Sequence, residues 1–216
     1  LFEQIEQLVD AETILASNSS SFPITDTARD LAHPERAVVT HWFNPPHVIP
    51  VVEVVGGERT SEATVVTALA TLESIGKTAV RIDKELAGFL VNRVQVAMFR
   101  EVFDLLDRGV ATASEIDRAI RGSMGLRLAA LGPLAIIDYA GWDISSSTFT
   151  NLAPDMRGDT EVPETIRKMV EAGHLGAKSG QGIYSYPPET IDEQIRQRDA
   201  DYLSLVKLLH SAEDTA

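Results

Sequence analysis

The chain has 216 residues, 44% of them hydrophobic and 24% charged, a composition that fits one large or two small globular domains. Its formal net charge of −13 argues against nucleic acid or an acidic membrane surface as a partner, yet leaves room for an anionic small ligand held by local donors. There is no cysteine, which excludes disulfides, thiolate metal sites and cysteine nucleophiles and agrees with a cytoplasmic location.

Residues 1–9 put Leu1, Ile5 and Leu8 on one helical face. This helix starts without a Met or a cap, so it reads as mid-element in a longer protein. Residues 13–16 form a short apolar strand that runs into Ser17-Asn18-Ser19-Ser20-Ser21. A polar cluster at the carboxyl end of a strand is where open α/β sheets place ligands. The same residues equally suit a plain serine-rich loop that caps the next helix. Residues 24–31 read as a short helix capped by Thr25 or Asp26 and stopped by His33-Pro34.

Two β-branched runs follow, residues 38–43 and 51–55, with Asn44-Pro45-Pro46 between them. Two prolines remove two donors and fix φ, so the pattern is strand, turn, strand. His41 lies in the first strand and Glu53 in the second, twelve residues apart. Side by side, the strands let the two side chains meet, which orients an imidazole and raises its basicity for general acid–base chemistry. Taken singly, His41 also suits a packed core position and Glu53 an exposed face. Glu53 has two Val on either side, however, and an unpaired carboxylate buried there costs several kcal/mol, so a partner is expected.

Residues 61–74 form a helix closed by Gly76, and residues 78–82 a further strand. Strands alternating with helices predict an α/β domain with a largely parallel sheet. After Asp83 only helices are expected, so the domain boundary is placed there. The first, residues 88–108, is apolar over a wide face and reads as buried or shared with another subunit. A helix begins near Ser114, and Pro133 opens another that contains Asp138. Residues 162–171 form an amphipathic helix, followed by a Gly-rich loop at 173–184 that carries Lys178. A charged helix spans residues 191–210, and residues 211–216 form a polar tail.

Six segments recur in order and spacing: Ser-Asn-Ser-Ser-Ser at 17–21, His-Trp-Phe-Asn-Pro-Pro at 41–46, Val-Glu-Val-Val at 52–55, Gly-Phe-Leu-Val-Asn-Arg at 88–93, Gly-Pro-Leu at 132–134 and Gly-Ala-Lys-Ser-Gly-Gln-Gly-Ile-Tyr at 176–184. Together they resemble the L-3-hydroxyacyl-CoA dehydrogenase family over nearly the whole chain, to about residue 186. The resemblance implies the C-terminal portion of a Rossmann-like NAD-binding domain at residues 1–83. It further implies an all-α dimerisation domain at 84–187 and a C-terminal helix and tail at 188–216. It implies NAD-dependent oxidation of a 3-hydroxyacyl-CoA, as in fatty-acid β-oxidation, or the reverse. In that reading His41 is the base, Glu53 supports its imidazolium, Ser20 and Asn92 contact the reacting oxygen, and Ser20, Asn44 and Lys178 contact the dinucleotide. A small-molecule substrate and a homodimer through the helical domain are the expected partners.

Three departures matter. The Gly-rich phosphate fingerprint and ribose-binding acid that open the family's Rossmann unit are absent, so about 90–100 residues are expected upstream. Ser19 replaces the family's usual Thr. The stretch Met-Gly-Leu-Arg-Leu-Ala-Ala-Leu before Gly132-Pro133 is similar to branches acting on non-CoA 3-hydroxy acids, such as gulonate dehydrogenase and its lens-crystallin relatives. Carnitine-like or gulonate-like hydroxy acids are therefore the alternative substrates, and a non-catalytic structural protein on the same scaffold is the alternative class.

Overall fold

The computed structural model describes the backbone of residues 1–213 and the side chains of residues 1–209. Its residues fall into two compact units, Leu1–Gln95 and Val96 onward. The expected tail at 211–216 is helical as far as Glu213 and otherwise lies outside the described residues.

The first unit is built on strands β1 (Leu15–Ser17), β2 (Ala37–Trp42), β3 (Val51–Gly56) and β4 (Thr78–Ile82), lying side by side in that order. β1 is parallel to β2 and β3 is parallel to β4, but β2 and β3 are antiparallel. The expectation of a largely parallel sheet is thereby corrected to a mixed one. The β2–β3 connection, residues 43–50, is shorter than the dozen or so residues that a parallel crossover needs.

Period-two alternation sends the strands' side chains to two cores. Val39 and Val55 face one core with Leu15, Ile24 of helix α2 (Ile24–Thr27) and Phe89, and with the partly buried Phe2 and Ile5 of helix α1 (Phe2–Glu6). Val38, Val52 and Val54 face the other, against Val65, Ala68 and Leu72 of helix α3 (Glu62–Ser74). The sheet is thus sandwiched between short elements and one full helix. His41 and Glu53 share the pleat parity of Val39 and Val55, so they point to the α1–α2 side.

Local sequence explains most boundaries. Ser61 caps α3 by accepting from Thr64 N–H at 3.1 Å. Gly76 ends it at φ 78, with Gly76 N–H donating to Glu73 O and Lys77 N–H to Leu72 O, both at 3.0 Å. Lys77 Nζ then donates to Pro46 O at 2.6 Å and Ile49 O at 3.0 Å, which fixes the β2–β3 turn. Helix α2 stops at Thr27 instead of Leu31, because Ala28 leaves helical geometry at φ −94, ψ 6. Neither Thr25 nor Asp26 caps it, and the Asp26 carboxylate pairs with Arg29 instead. The acceptor at its start is Glu85 Oε1, which takes hydrogen bonds from Ile24 N–H and, at 3.4 Å, from Thr25 N–H. Gly57 lets the exit of β3 run against this turn, since a Cβ there would lie 2.8 Å from Ile24 and 2.9 Å from Thr25 N.

Helix α4 (Val91–Asp107) starts three residues later than the expected 88, because Gly88 (φ 77) and Phe89 (φ 51) take left-handed backbone conformations. Its residues from Val96 belong to the second unit. That unit continues with α5 (Ala113–Ile120), a π-helical turn (Arg121–Gly125), α6 (Leu126–Ala130), α7 (Pro133–Ala140), α8 (Trp142–Leu152), α9 (Glu164–Glu171) and α10 (Ile191–Glu213). The Gly-rich loop is tied to α5 by Tyr184, whose hydroxyl donates to Asp117 Oδ2 at 2.7 Å. That bond, with burial adding to it, pushes the Tyr184 phenol above its ordinary range. The unit leaves large apolar side chains outside, among them Phe99, Leu126, Leu134 and Phe149. No single helix among the described residues is long and apolar enough to cross a membrane.

Candidate active site

β2 and β3 put His41 directly opposite Glu53 in register. His41 Nδ1 meets Glu53 Oε2 at 2.7 Å, and the two side chains are 3% and 1% exposed. The other carboxylate oxygen, Oε1, accepts from Leu90 N–H at 3.1 Å and Val91 N–H at 2.9 Å. Those amides open helix α4, so the carboxylate answers two of the four donors that a helix start leaves unpaired. The positive end of the helix dipole offsets its charge. A buried carboxylate with three donors is a satisfied one, which is how Glu53 tolerates a surround of fully buried valines.

The arrangement decides how the imidazole is used. Both Glu53 oxygens act as acceptors, so the Nδ1–H points to Glu53 and Nε2 carries the free lone pair. The ring is held edge-on to Phe43, with centroids 4.6 Å apart, and lies 5.4 Å from Phe89. Phe89 is almost wholly buried despite its positive φ. A bulky residue in that backbone region is strained. Here the turn seats the ring beside His41 and aims the next two amides at Glu53.

Ser20 and Asn92 come together one step away: Asn92 Nδ2 donates to Ser20 O at 3.1 Å. Ser20 is exposed, and the loop that carries it is shaped by Ser19, whose Oγ accepts from Phe22 N–H at 2.8 Å. Asn44 is exposed in the β2–β3 turn, and no hydrogen bond among the described residues links it to His41, Ser20 or Asn92. Lys178 belongs to the second unit, where it is exposed in the Gly-rich loop.

Two contributors escape a reading of the sequence. Asn18 Oδ1 accepts from Trp42 N–H at 3.0 Å, which continues the β1–β2 pairing through a side chain. An Asn directly after a strand was the available signal. Glu85 reaches across 61 positions of sequence to Ile24, and nothing local marks it as a cap.

A mixed α/β sheet of Rossmann type followed by a helical unit, with a buried histidine–carboxylate pair on the sheet, is an arrangement on which dinucleotide-dependent oxidoreductases are built. Residues 1–86 match the family model described as 3-hydroxyacyl-CoA dehydrogenase, NAD binding domain, and residues 88–186 match its C-terminal domain. The chain belongs to the 3-hydroxyacyl-CoA dehydrogenase family.

It is 35% identical over 213 residues to a 5-formyl-3-hydroxy-2-methylpyridine 4-carboxylate 5-dehydrogenase of Mesorhizobium japonicum, covering 99% of this chain and 69% of that protein. It is 33% identical to an L-carnitine dehydrogenase of Streptomyces griseus, covering 100% of this chain and 65% of that one. A probable 3-hydroxybutyryl-CoA dehydrogenase of Bacillus subtilis is 38% identical over 88% of this chain and 65% of its own. Among solved structures, an NAD+-dependent 5-formyl-3-hydroxy-2-methylpyridine 4-carboxylic acid 5-dehydrogenase superposes with a TM-score of 0.92 at 36% identity, covering 96% of this chain and 67% of that one. The chain thus spans about two thirds of the length of these relatives.

NAD is the cofactor of the matched domain. The residues present fit one part of it. Ser20 and Asn44 follow the carboxyl ends of the parallel neighbours β1 and β2, where sheets of this type take ligands. Their hydroxyl and amide groups suit ribose hydroxyls and a carboxamide. Residues 1–86 contain no Gly-x-Gly-x-x-Gly, so they offer no glycine cradle for the pyrophosphate.

Proposed function

We propose that the protein oxidises the secondary alcohol of a small hydroxy acid, or reduces the corresponding ketone, with His41 as the general base. The observation that carries this reading is the chain of contacts from His41 through Glu53 to the start of α4. His41 Nε2 takes the hydroxyl proton, and Glu53 meets the positive charge that develops on the ring. NAD, when bound, would supply the hydride acceptor for the carbon that bears this hydroxyl. The Ser20 hydroxyl and the second Nδ2 hydrogen of Asn92 donate to the substrate oxygen, the first being used on Ser20 O. One preorganised donor of this kind is commonly worth about 2.7–4 kcal/mol of barrier. Asn44 contacts the dinucleotide in this reading, and Lys178, on the second unit's Gly-rich loop, is a separate candidate for the same cofactor.

The substrate carries no CoA. Support comes from the superpositions: the pyridine-carboxylate dehydrogenase superposes with a TM-score of 0.92. The (S)-3-hydroxybutyryl-CoA dehydrogenase of Ralstonia eutropha superposes with a TM-score of 0.66. The family's name favours the second reading, a 3-hydroxyacyl-CoA. Purified full-length protein separates the two. NAD reduction with carnitine or gulonate is expected, and turnover confined to acetoacetyl-CoA with NADH would establish the CoA reading instead.

The protein works as a cytoplasmic homodimer joined through its helical unit. Leu126 and Leu134 are each 69% exposed and Phe149 is 70% exposed, large apolar side chains that a second copy of the unit would cover. Sedimentation at micromolar concentration is expected to give twice the chain mass. A single-chain mass would remove this part of the reading.

A further inference from the structure

Glu85 lies outside the proton-handling pair, yet its carboxylate holds the segment next to Ser20. Helix α2 has no side-chain cap of its own and is only four residues long. Its first amides, Ile24 N–H and Thr25 N–H, both turn to Glu85 Oε1. The Ser20 loop is therefore fixed at two ends: at Asn18, which accepts from Trp42 N–H, and at Ile24, which donates to Glu85.

The same short stretch of chain makes three further long-range bonds at the site. Leu90 and Val91 present their amides to Glu53, and Asn92 donates to Ser20 O. Residues 85–92 thus form one clip. One end grips the segment that carries Ser20, and the other grips the carboxylate that orients His41. A loop held at both ends to a common clip keeps its hydroxyl in register with the imidazole, and misplacement by about 1 Å can cost roughly a hundredfold in rate.

We infer that Glu85 is a positioning residue of the reaction: it sets the place of the Ser20 hydroxyl relative to His41 by capping the turn at Ile24. This rests on the dehydrogenase reading above. Two neighbours brace the same turn, since Thr25 Oγ1 accepts from Glu58 N–H at 3.0 Å and Gly57 allows close approach. Loss of Glu85 therefore loosens the loop without unfolding it.

The test is a double-mutant cycle in the full-length protein. Glu85→Ala is expected to lower kcat about 10–100-fold with a smaller change in KM. Glu85→Gln keeps an acceptor oxygen and is expected to recover most of the rate. In a Ser20→Ala background the further loss from Glu85→Ala is expected to fall below threefold, because the hydroxyl it positions is gone. Equal losses in both backgrounds, or a Glu85→Ala enzyme within twofold of wild type, would overturn the inference.

Amide hydrogen exchange supplies a readout that needs no turnover. Glu85→Ala is expected to speed exchange at Ile24 and Thr25 and to leave β2 and β3 protected. Unchanged exchange at Ile24 and Thr25 refutes the clip. A wild-type protein without dehydrogenase activity, in contrast, refutes the functional reading while the exchange result still decides whether the clip exists.

Discussion

Glu53→Gln is expected to lower kcat on the order of 10³–10⁴-fold while leaving the fold intact. The amide oxygen can still accept from Leu90 and Val91, whose N–H groups lie 3.1 and 2.9 Å from Oε1. The amide nitrogen then faces His41 Nδ1 across a 2.7 Å contact, and it is a donor. Nδ1 must turn acceptor, the ring proton moves to Nε2, and the nitrogen that should take the substrate proton is already occupied. Loss of a tautomer-setting carboxylate in a catalytic triad costs about 10⁴ in kcat for the same reason.

Glu53→Ala tests the other half of the argument. It strands two helix-start amides and an imidazole N–H in a site closed to water, which is expected to cost about 3–5 kcal/mol of stability. A fall in Tm of about 10 °C should accompany it. If Glu53→Gln is fully active, the carboxylate does not set the tautomer of His41; if Glu53→Ala melts with wild type, it does not stabilise the start of α4.

Replacing His41 by Gln is expected to lower kcat about 10²–10⁴-fold, the usual worth of a general base. Glutamine fills much of the space between Phe43 and Phe89, and its amide can donate to Glu53, so stability should change little. Steady-state rates beside a thermal melt check both statements. A loss below tenfold in a folded protein would show that His41 is not the base.

How much of this was legible beforehand follows from where the information lies. The meeting of His41 and Glu53 could be read because each sits in its own apolar run, on either side of a turn that the prolines impose. The donors that complete Glu53 could not, because they are backbone amides, and backbone carries no sequence signature. Gly88-Phe89 looks helical by its apolar spacing, but the two residues form a left-handed turn that brings the Leu90 and Val91 amides to Glu53.

Helix α8 gave no signal for a different reason. Its Ser145, Ser146, Ser147, Thr148 and Thr150 are poor helix formers in isolation. In the fold several of them turn back on their own helix: Ser145, Thr148 and Thr150 hydroxyls donate to Gly141, Ile144 and Ser146 carbonyls at 2.9–3.0 Å. The mixed character of the sheet was within reach, since the length of residues 43–50 decides it. Strand–helix alternation points to parallel pairing, and the short 43–50 connection overrides it.

The antiparallel pairing of β2 with β3 also orders the assembly of the site. Glu53 must find one partner twelve positions back and another 37 or 38 positions ahead. Closing the shorter loop costs about 1 kcal/mol less entropy than closing the longer one. The hairpin needs nothing beyond Gly56, so a chain emerging from the ribosome can bring His41 and Glu53 together before α4 has been made. Until Leu90 and Val91 arrive, the carboxylate has water as its other partner. The segment that supplies these last two donors is the one that also carries Asn92, so the far side of Glu53 and the Asn92 amide reach the site together.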